Sequence, residues 1–426
     1  MRKLLFLFFL LSVAVVAQPQ SVREELRQNP SLAASNFLAY PSPSQQRLTP
    51  APKGKKPFYI SHYGRHGSRY HTKAIDYEYA LETLRRADSK GALNSLGKDV
   101  LQRLTAISAE ASDRLGDLTP LGVEQQHDIA SRMFRRFPEV FKKGAVVDAR
   151  STVTPRCILT MAHFTSQLLL LNPKLEVKMD ASEHDHTYLR QLFRLDASTK
   201  ASARYKEYCD LHECWQRPVG QLFADTAYLN RYVNGERLNF YLFREAVNLQ
   251  SSELGKTLSL FDLFTSDELY EMWRMNNVWW YLGFGFSDLN GGNIPFSQAN
   301  LLRNIIEQAD SCLHLPRPGC SLRFGHDTAI MPLVCLLNLN GYGRKFADLE
   351  QLDSQGWVDY RISPMSSNVQ FVFYRSSTTD DDVLFKVLLN ENEATLPLPD
   401  DLAPYYHWND FRRYYLELLD SYSARP

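Results

Sequence analysis

The stretch from Phe58 to His71 constrains this chain most: an extended apolar run, Phe58 to Ile60, passes into a turn bracketed by Gly64 and Gly67. Such a run reads as a buried strand, and the two glycines permit a tight turn whose backbone lies close to a ligand. The turn carries Arg65, His66 and Arg69. Guanidinium groups donate paired hydrogen bonds to phosphate oxygens and stay charged at any working pH, and an imidazole between them is free to act as nucleophile or base. A surface turn with solvated charges is the alternative reading.

The strand-then-charge pattern recurs. Ala145 to Arg150 reads as a short buried strand ending in Arg150, and Pro155 then opens a helix. Arg156 reads as a helix-start residue pointing elsewhere. Ser321 to Phe324 is a third strand, followed by Gly325-His326-Asp327-Thr328 and a helix beginning near Ala329. In α/β sheets ligands bind outside the carboxyl ends of the strands, so these three remote segments are expected to converge. Separately, His326 could be a core residue, Asp327 a helix cap and Arg150 a partner of Asp148.

The remaining chain fits an α/β frame with an interruption. Leu118-Thr-Pro-Leu-Gly122 marks a helix start, with Thr119 as cap and Pro120 in the first turn. From about 183 to 296 the pattern turns mainly helical and aromatic, after which strands at 368–374 and 383–389 and a closing helix at 407–422 follow. The expected division is a signal peptide at 1–17, an extension and connector at 18–57, an α/β domain at 58–182 and 297–426, and an inserted helical cap at 183–296.

Arg65-His66-Gly67-Ser68-Arg69 matches the Arg-His-Gly-x-Arg signature of the histidine acid phosphatases, the branch that includes phytases and multiple inositol polyphosphate phosphatases. The motif departs from those two groups at His71, where a proline is usual. Leu118 to Gly122, Arg150-Ser151-Thr152, His326-Asp327 and the placing of the helical stretch also resemble the family. The resemblance implies a mainly parallel central sheet flanked by helices, like that of phosphoglycerate mutases, plus a helical cap. It also implies an exported phosphomonoesterase acting on phytate-like inositol polyphosphates or related small phosphate esters. In this reading His66 is the nucleophile and forms a phosphohistidine; Arg65, Arg69, Arg150 and His326 hold phosphoryl oxygens; Asp327 protonates the leaving alcohol. No cofactor or metal is required. Inositol polyphosphate phosphatases typically carry His-Ala-Glu where this chain has His326-Asp327-Thr328, so a broad-specificity acid phosphatase stays open, as does a catalytically silent phospholigand-binding protein.

Arg2, Lys3 and the apolar run Leu4 to Val16 read as a secretory signal, too short for a membrane span. Its removal takes two cations from 48 that balance 48 anions, leaving about −2, and no basic bias argues for nucleic acid. Export permits disulfides, and Cys209 with Cys214 and Cys312 with Cys320 are the economical pairs, while Cys157 and Cys335 sit in apolar helical patterns. Neither close pair has the spacing of a zinc knuckle, and His184-Asp185-His186 suits an exposed loop better than a metal site. Arg190, Arg194, Lys200, Arg204 and Lys206 either hold extra phosphates or form a solvated helix face. Oligomeric state is left open.

Overall fold

The computed structural model describes residues 20–190 and 200–423; the expected signal peptide and Arg194 lie outside them. Eight strands form one sheet: β1 (Lys56–Arg65), β2 (Val146–Ser151), β3 (Glu176–Ala181), β4 (Gly319–Gly325), β5 (Asn368–Arg375), β6 (Leu384–Leu389), β7 (Asn392–Ala394) and β8 (Tyr406–His407). The order is β3-β2-β4-β1-β5-β6-β7, with β8 against β6. β3, β2, β4 and β1 run parallel, joined through helices. β5 to β8 pair antiparallel, so the sheet is mixed. The links from β5 to β6 and from β6 to β7 are hairpins, and a parallel return would need a crossover of a dozen residues or more.

β1 and β4 sit at the centre, covered on both faces, which is why nearly all their residues are buried. Alternation sends Tyr59 and Tyr63 into one apolar cluster with Trp408 and Phe373, and Ile60 into another with Phe164, Val147 and Phe324. Between β3 and β4, every regular element among the described residues is helical, from Glu183–Asp185 to Ala299–Cys312. Of these helices, Gly235–Leu249 and the first half of the longest, Ser266–Phe284, pack around Trp273 together with the N-terminal segment, while Lys200–His212 and Ala299–Cys312 join the cluster of Tyr59 and Trp408.

The expected N-terminal extension is regular and partly buried. A helix at Val22–Gln28 is followed by a 3-10 segment, Pro30–Phe37, whose Ala33 to Phe37 are buried. The six cysteines are free thiols. Cys214 turns its Sγ toward the Glu268 carbonyl at 3.9 Å, and Cys320 is buried within β4, so the two expected disulfides are not formed. No helix among the described residues is long and apolar enough to cross a membrane.

Candidate active site

Strand register brings the three charged turns together. Arg65 of β1 lies opposite Gly325 of β4, and Ser151 of β2 opposite Phe324, so three carboxyl ends finish level. The ladder continues one step further: the His66 N–H donates to Gly325 O at 3.0 Å and the Thr152 N–H to Phe324 O at 3.1 Å.

The turn after β1 rests on the helix Pro120–Arg136. A side chain on Gly67 would meet Gly122 O at 2.5 Å, and one on Gly122 would meet Ser68 O at 2.3 Å, so the two backbones touch only because both residues are glycine. Gln125 accepts from the Ser68 N–H and donates to its Oγ, each at 3.0 Å, while the Thr119 N–H reaches Ser68 O at 2.9 Å. His71, where the family usually has proline, donates its backbone N–H to Tyr77 Oη at 2.9 Å and its ring Nε2–H to Arg244 O at 3.1 Å. Proline could make neither bond.

His66 Nδ1 lies 2.9 Å from Gly67 O. A carbonyl only accepts, so Nδ1 carries the proton and Nε2 presents a lone pair. Burial, then the charges of Arg156, Arg65 and Arg69, hold this imidazole well below its ordinary pKa, and it stays neutral. The His326 ring stands 5.8 Å away, nearly perpendicular, with Nε2 3.3 Å from Thr152 Oγ1. Burial, with Arg156, pushes His326 down to about 4.

Arg65 is fully buried. Nη1 donates to the carbonyls of Asn36 and Ser363, and Nη2 lies 2.7 Å from Asp327 Oδ2, an ion-pair contact outside linear hydrogen-bond geometry. Arg69 donates from Nη1 to Tyr70 O at 2.9 Å, and its guanidinium lies 5.4 Å from the centre of the Phe37 ring. Burial and the neighbouring Arg156 and Arg65 bring it down to about 9. Arg65 Nε, Arg69 Nε and Arg156 Nε are buried without an acceptor. Such donors are costly to leave unmade, and together they suit a bound oxyanion.

Asp327 is the acid in contact with this group. Burial raises its pKa, but Arg65, the Asn36 amide at 2.9 Å and Arg69 outweigh burial and hold it down at about 2. The Thr328 N–H donates to the other carboxylate oxygen at 2.9 Å.

Arg150 does not join the group. Its Nε bonds Asp148 Oδ1 at 3.0 Å and its Nη1 bonds Asp180 Oδ2 at 3.1 Å. Strand alternation is the reason: Arg150 projects to the same side of β2 as Asp148, into a polar pocket shared with Asp185 and Arg323. The cation that the sequence reading set aside, Arg156, is the one whose charge acts on His66, His326, Arg65 and Arg69. It stands in the first turn of Pro155–Leu171, after Pro155. A right-handed β-helix crossover points that helix N-terminus at the carboxyl edge of the sheet, a signal available in the sequence. Asn36 and Phe37, from the N-terminal segment, had no such signal. Arg190 sends charge toward His326, whereas Arg204 pairs with Glu207 at 3.0 Å and Lys206 with Asp210 at 2.5 Å on the surface. His186 Nε2 accepts from the Val153 N–H at 3.2 Å.

The family model of the histidine phosphatase superfamily (branch 2) matches residues 64–390, from the first charged turn through β6. The chain belongs to this superfamily. It is a phosphatase, and curated relatives include multiple inositol polyphosphate phosphatase 1 of Gallus gallus, 23% identical over 440 residues that cover 92% of this chain and 88% of that one. The protein of the same name from Dictyostelium discoideum is 28% identical over 109 residues, 25% of this chain and 17% of that one. Among solved structures, Bifidobacterium longum multiple inositol polyphosphate phosphatase in complex with inositol hexasulfate superposes with a TM-score of 0.70 at 15% identity, covering 89% of this chain and 96% of that one. The phytase from D. castellii gives 0.68 at 15% identity, covering 95% and 88%. The histidine phosphatase fold thus extends over nearly the whole described chain.

Proposed function

We propose that this histidine phosphatase is an exported phosphomonoesterase that hydrolyses inositol polyphosphates, or related small phosphate esters, through a phosphohistidine. His66 Nε2 attacks phosphorus, the phosphorus–oxygen ester bond breaks, and the leaving oxygen takes a proton from Asp327. Water then attacks the phosphohistidine, releasing inorganic phosphate and restoring neutral His66. Arg65, Arg69, Arg156 and His326 neutralise the phosphoryl oxygens as charge develops. The observation that carries this reading is the free lone pair on His66 Nε2 among buried guanidinium N–H groups that lack acceptors. The apolar N-terminal run supports export, and the change to helical pattern supports a cap over residues 183–296 that shapes the substrate entrance.

His66 holds no proton until well below pH 6.5, so the nucleophile stays competent in acid, where a carboxylic acid donor also works best. Phosphate release from phytate and from an aryl phosphate should fall at least ~10⁴-fold in His66→Ala. Acid-quenched wild-type enzyme should carry acid-labile phosphate on residue 66, and equal turnover in the variant would refute the assignment. The pairing of His326 with Asp327, in place of His-Ala-Glu, favours one second reading, a broad-specificity acid phosphatase. Similar kcat/KM on phytate and on the aryl ester would select it.

A further inference from the structure

Asp327 is held in place from outside the stretch that the family model matches. Three consecutive residues of the N-terminal segment close over the cationic edge. Ser35 adopts φ 56° and ψ −128°, a backbone conformation that side-chain-bearing residues rarely take. Its Oγ donates to the buried Asp359, which also accepts from Trp273 Nε1 at 3.0 Å. With residue 35 pinned, Asn36 faces the site. Its Nδ2 donates to Asp327 Oδ2 at 2.9 Å, and its carbonyl accepts from Arg65 Nη1. Phe37 lays its ring 5.4 Å from the Arg69 guanidinium and 5.2 Å from that of Arg244, and the Met365 N–H then closes onto Leu38 O at 2.8 Å.

We infer that Asn36 is the positioning residue for the proton donor, fixing which oxygen of the Asp327 carboxyl carries the proton that reaches the leaving group. Oδ2 faces two donors, Asn36 Nδ2 and Arg65 Nη2, so the proton belongs on Oδ1, where Thr328 N–H is the partner. The inference rests on the reading of Asp327 as the acid. The other groups facing Asp327 are Arg69 from the turn, His326 beside it, and Cys157 and Tyr63. Burial pushes the Cys157 thiol up to about 11 and raises the Tyr63 phenol, so both are uncharged and the ionic partners are Arg65, Arg69 and, when protonated, His326.

The test uses the whole enzyme and two substrates, an aryl phosphate whose phenolate leaves without protonation and an alkyl phosphate whose alkoxide does not. Asp327→Asn is the reference variant and should lose turnover selectively on the alkyl ester. Asn36→Leu and the isosteric Asn36→Asp should show the same selectivity in smaller measure, about 10- to 100-fold on the alkyl ester and under about threefold on the aryl ester. In Asn36→Asp the alkaline limb of kcat/KM should also move up by about one pH unit, because a second carboxylate disfavours ionisation of Asp327. Vanadate should bind Asn36→Leu as tightly as wild type and Asp327→Asn at least as tightly, since the latter frees Arg65 of its ion pair. Equal losses on both esters in Asp327→Asn would remove the acid assignment itself. A selective Asp327→Asn with neither Asn36 variant selective, or an Asn36→Leu variant that loses vanadate binding, would overturn the positioning role alone.

Discussion

Two polar pockets on the same sheet hold the same kinds of residue and treat them differently. At the carboxyl edge, Arg65, Arg69 and Arg156 gather around His66 with Asp327 as the acid in contact, and one Nε–H on each guanidinium has no acceptor. On the sheet face, Arg150 is matched by Asp148 and Asp180, while Arg323 donates to Asn304 Oδ1 at 2.8 Å and Ser61 Oγ at 3.0 Å. Burying a cation without a partner is costly, so the two cations of the face pocket, which have partners on the protein, need nothing from outside, whereas the three at the edge suit an external anion. Uncompensated charge, more than the number of cations, marks where a phosphate belongs.

The sharpest way to break this contrast is to remove one arginine from each pocket. Arg156→Ala should lower kcat/KM by roughly 10²- to 10³-fold, the scale of deleting one donor to a developing oxyanion, while Arg150→Ala stays within about threefold. Phosphate-release assays on both variants read this directly, and comparable losses would put Arg150 back in the site.

Stability should respond in the opposite sense. Arg323→Met leaves Ser61 and Asn304 without their buried partner and should cost about 3 kcal/mol in denaturant unfolding, whereas Arg69→Met relieves an uncompensated cation and should cost under about 1 kcal/mol. A larger loss at Arg69 than at Arg323 would contradict the charge argument.

The pH profile offers a finer test. In the free enzyme Asp327 sits at about 2, so it is ionised above that pH and its proton is lost early. A bound phosphate dianion neutralises Arg65 and Arg69 and disfavours the carboxylate, which raises the Asp327 pKa in the complex. The alkaline limb of kcat should therefore lie at least about one pH unit above that of kcat/KM. Coincident limbs would mean that phosphate does not displace the ion pair.

His326 gives a separate effect, read in stability and not in rate. Its folded pKa is depressed to about 4, so below about 6.5 the unfolded chain takes a proton that the folded chain refuses. Stability from this residue is full above pH 6.5 and falls by up to ~1.4 kcal/mol per pH unit until about pH 4, where the loss levels off. Added phosphate should flatten the slope, seen in melting temperatures between pH 4 and 7.

Much of the edge was legible because each turn is contiguous in sequence and follows a strand. Arg65-His66 and His326-Asp327 each end a parallel strand, and the carboxyl-edge rule brings them together without knowledge of the fold. Arg150 misled because a strand end looks the same whichever side a residue faces, and Asp180, which claims it, enters only through the pairing of β2 with β3. Residues 30–37 carry no helical or strand periodicity, so a segment that touches Arg65, Arg69 and Asp327 read only as part of an N-terminal extension. Cysteine spacing suggested bridges, yet spacing does not fix the direction of a Cβ.

The sequence by itself determined the chemical inventory: a strand delivering a histidine flanked by arginines, a second strand delivering His-Asp, and glycines at 67 and 122 small enough to let two backbones touch. Only the tertiary structure decided which guanidiniums stay unpaired, because partners come from remote segments. Asp180 reaches Arg150 across 30 residues, and Asn36 reaches Asp327 across 291. Local pattern can place a charge at a strand end; whether that charge is neutralised depends on what the rest of the chain packs against it.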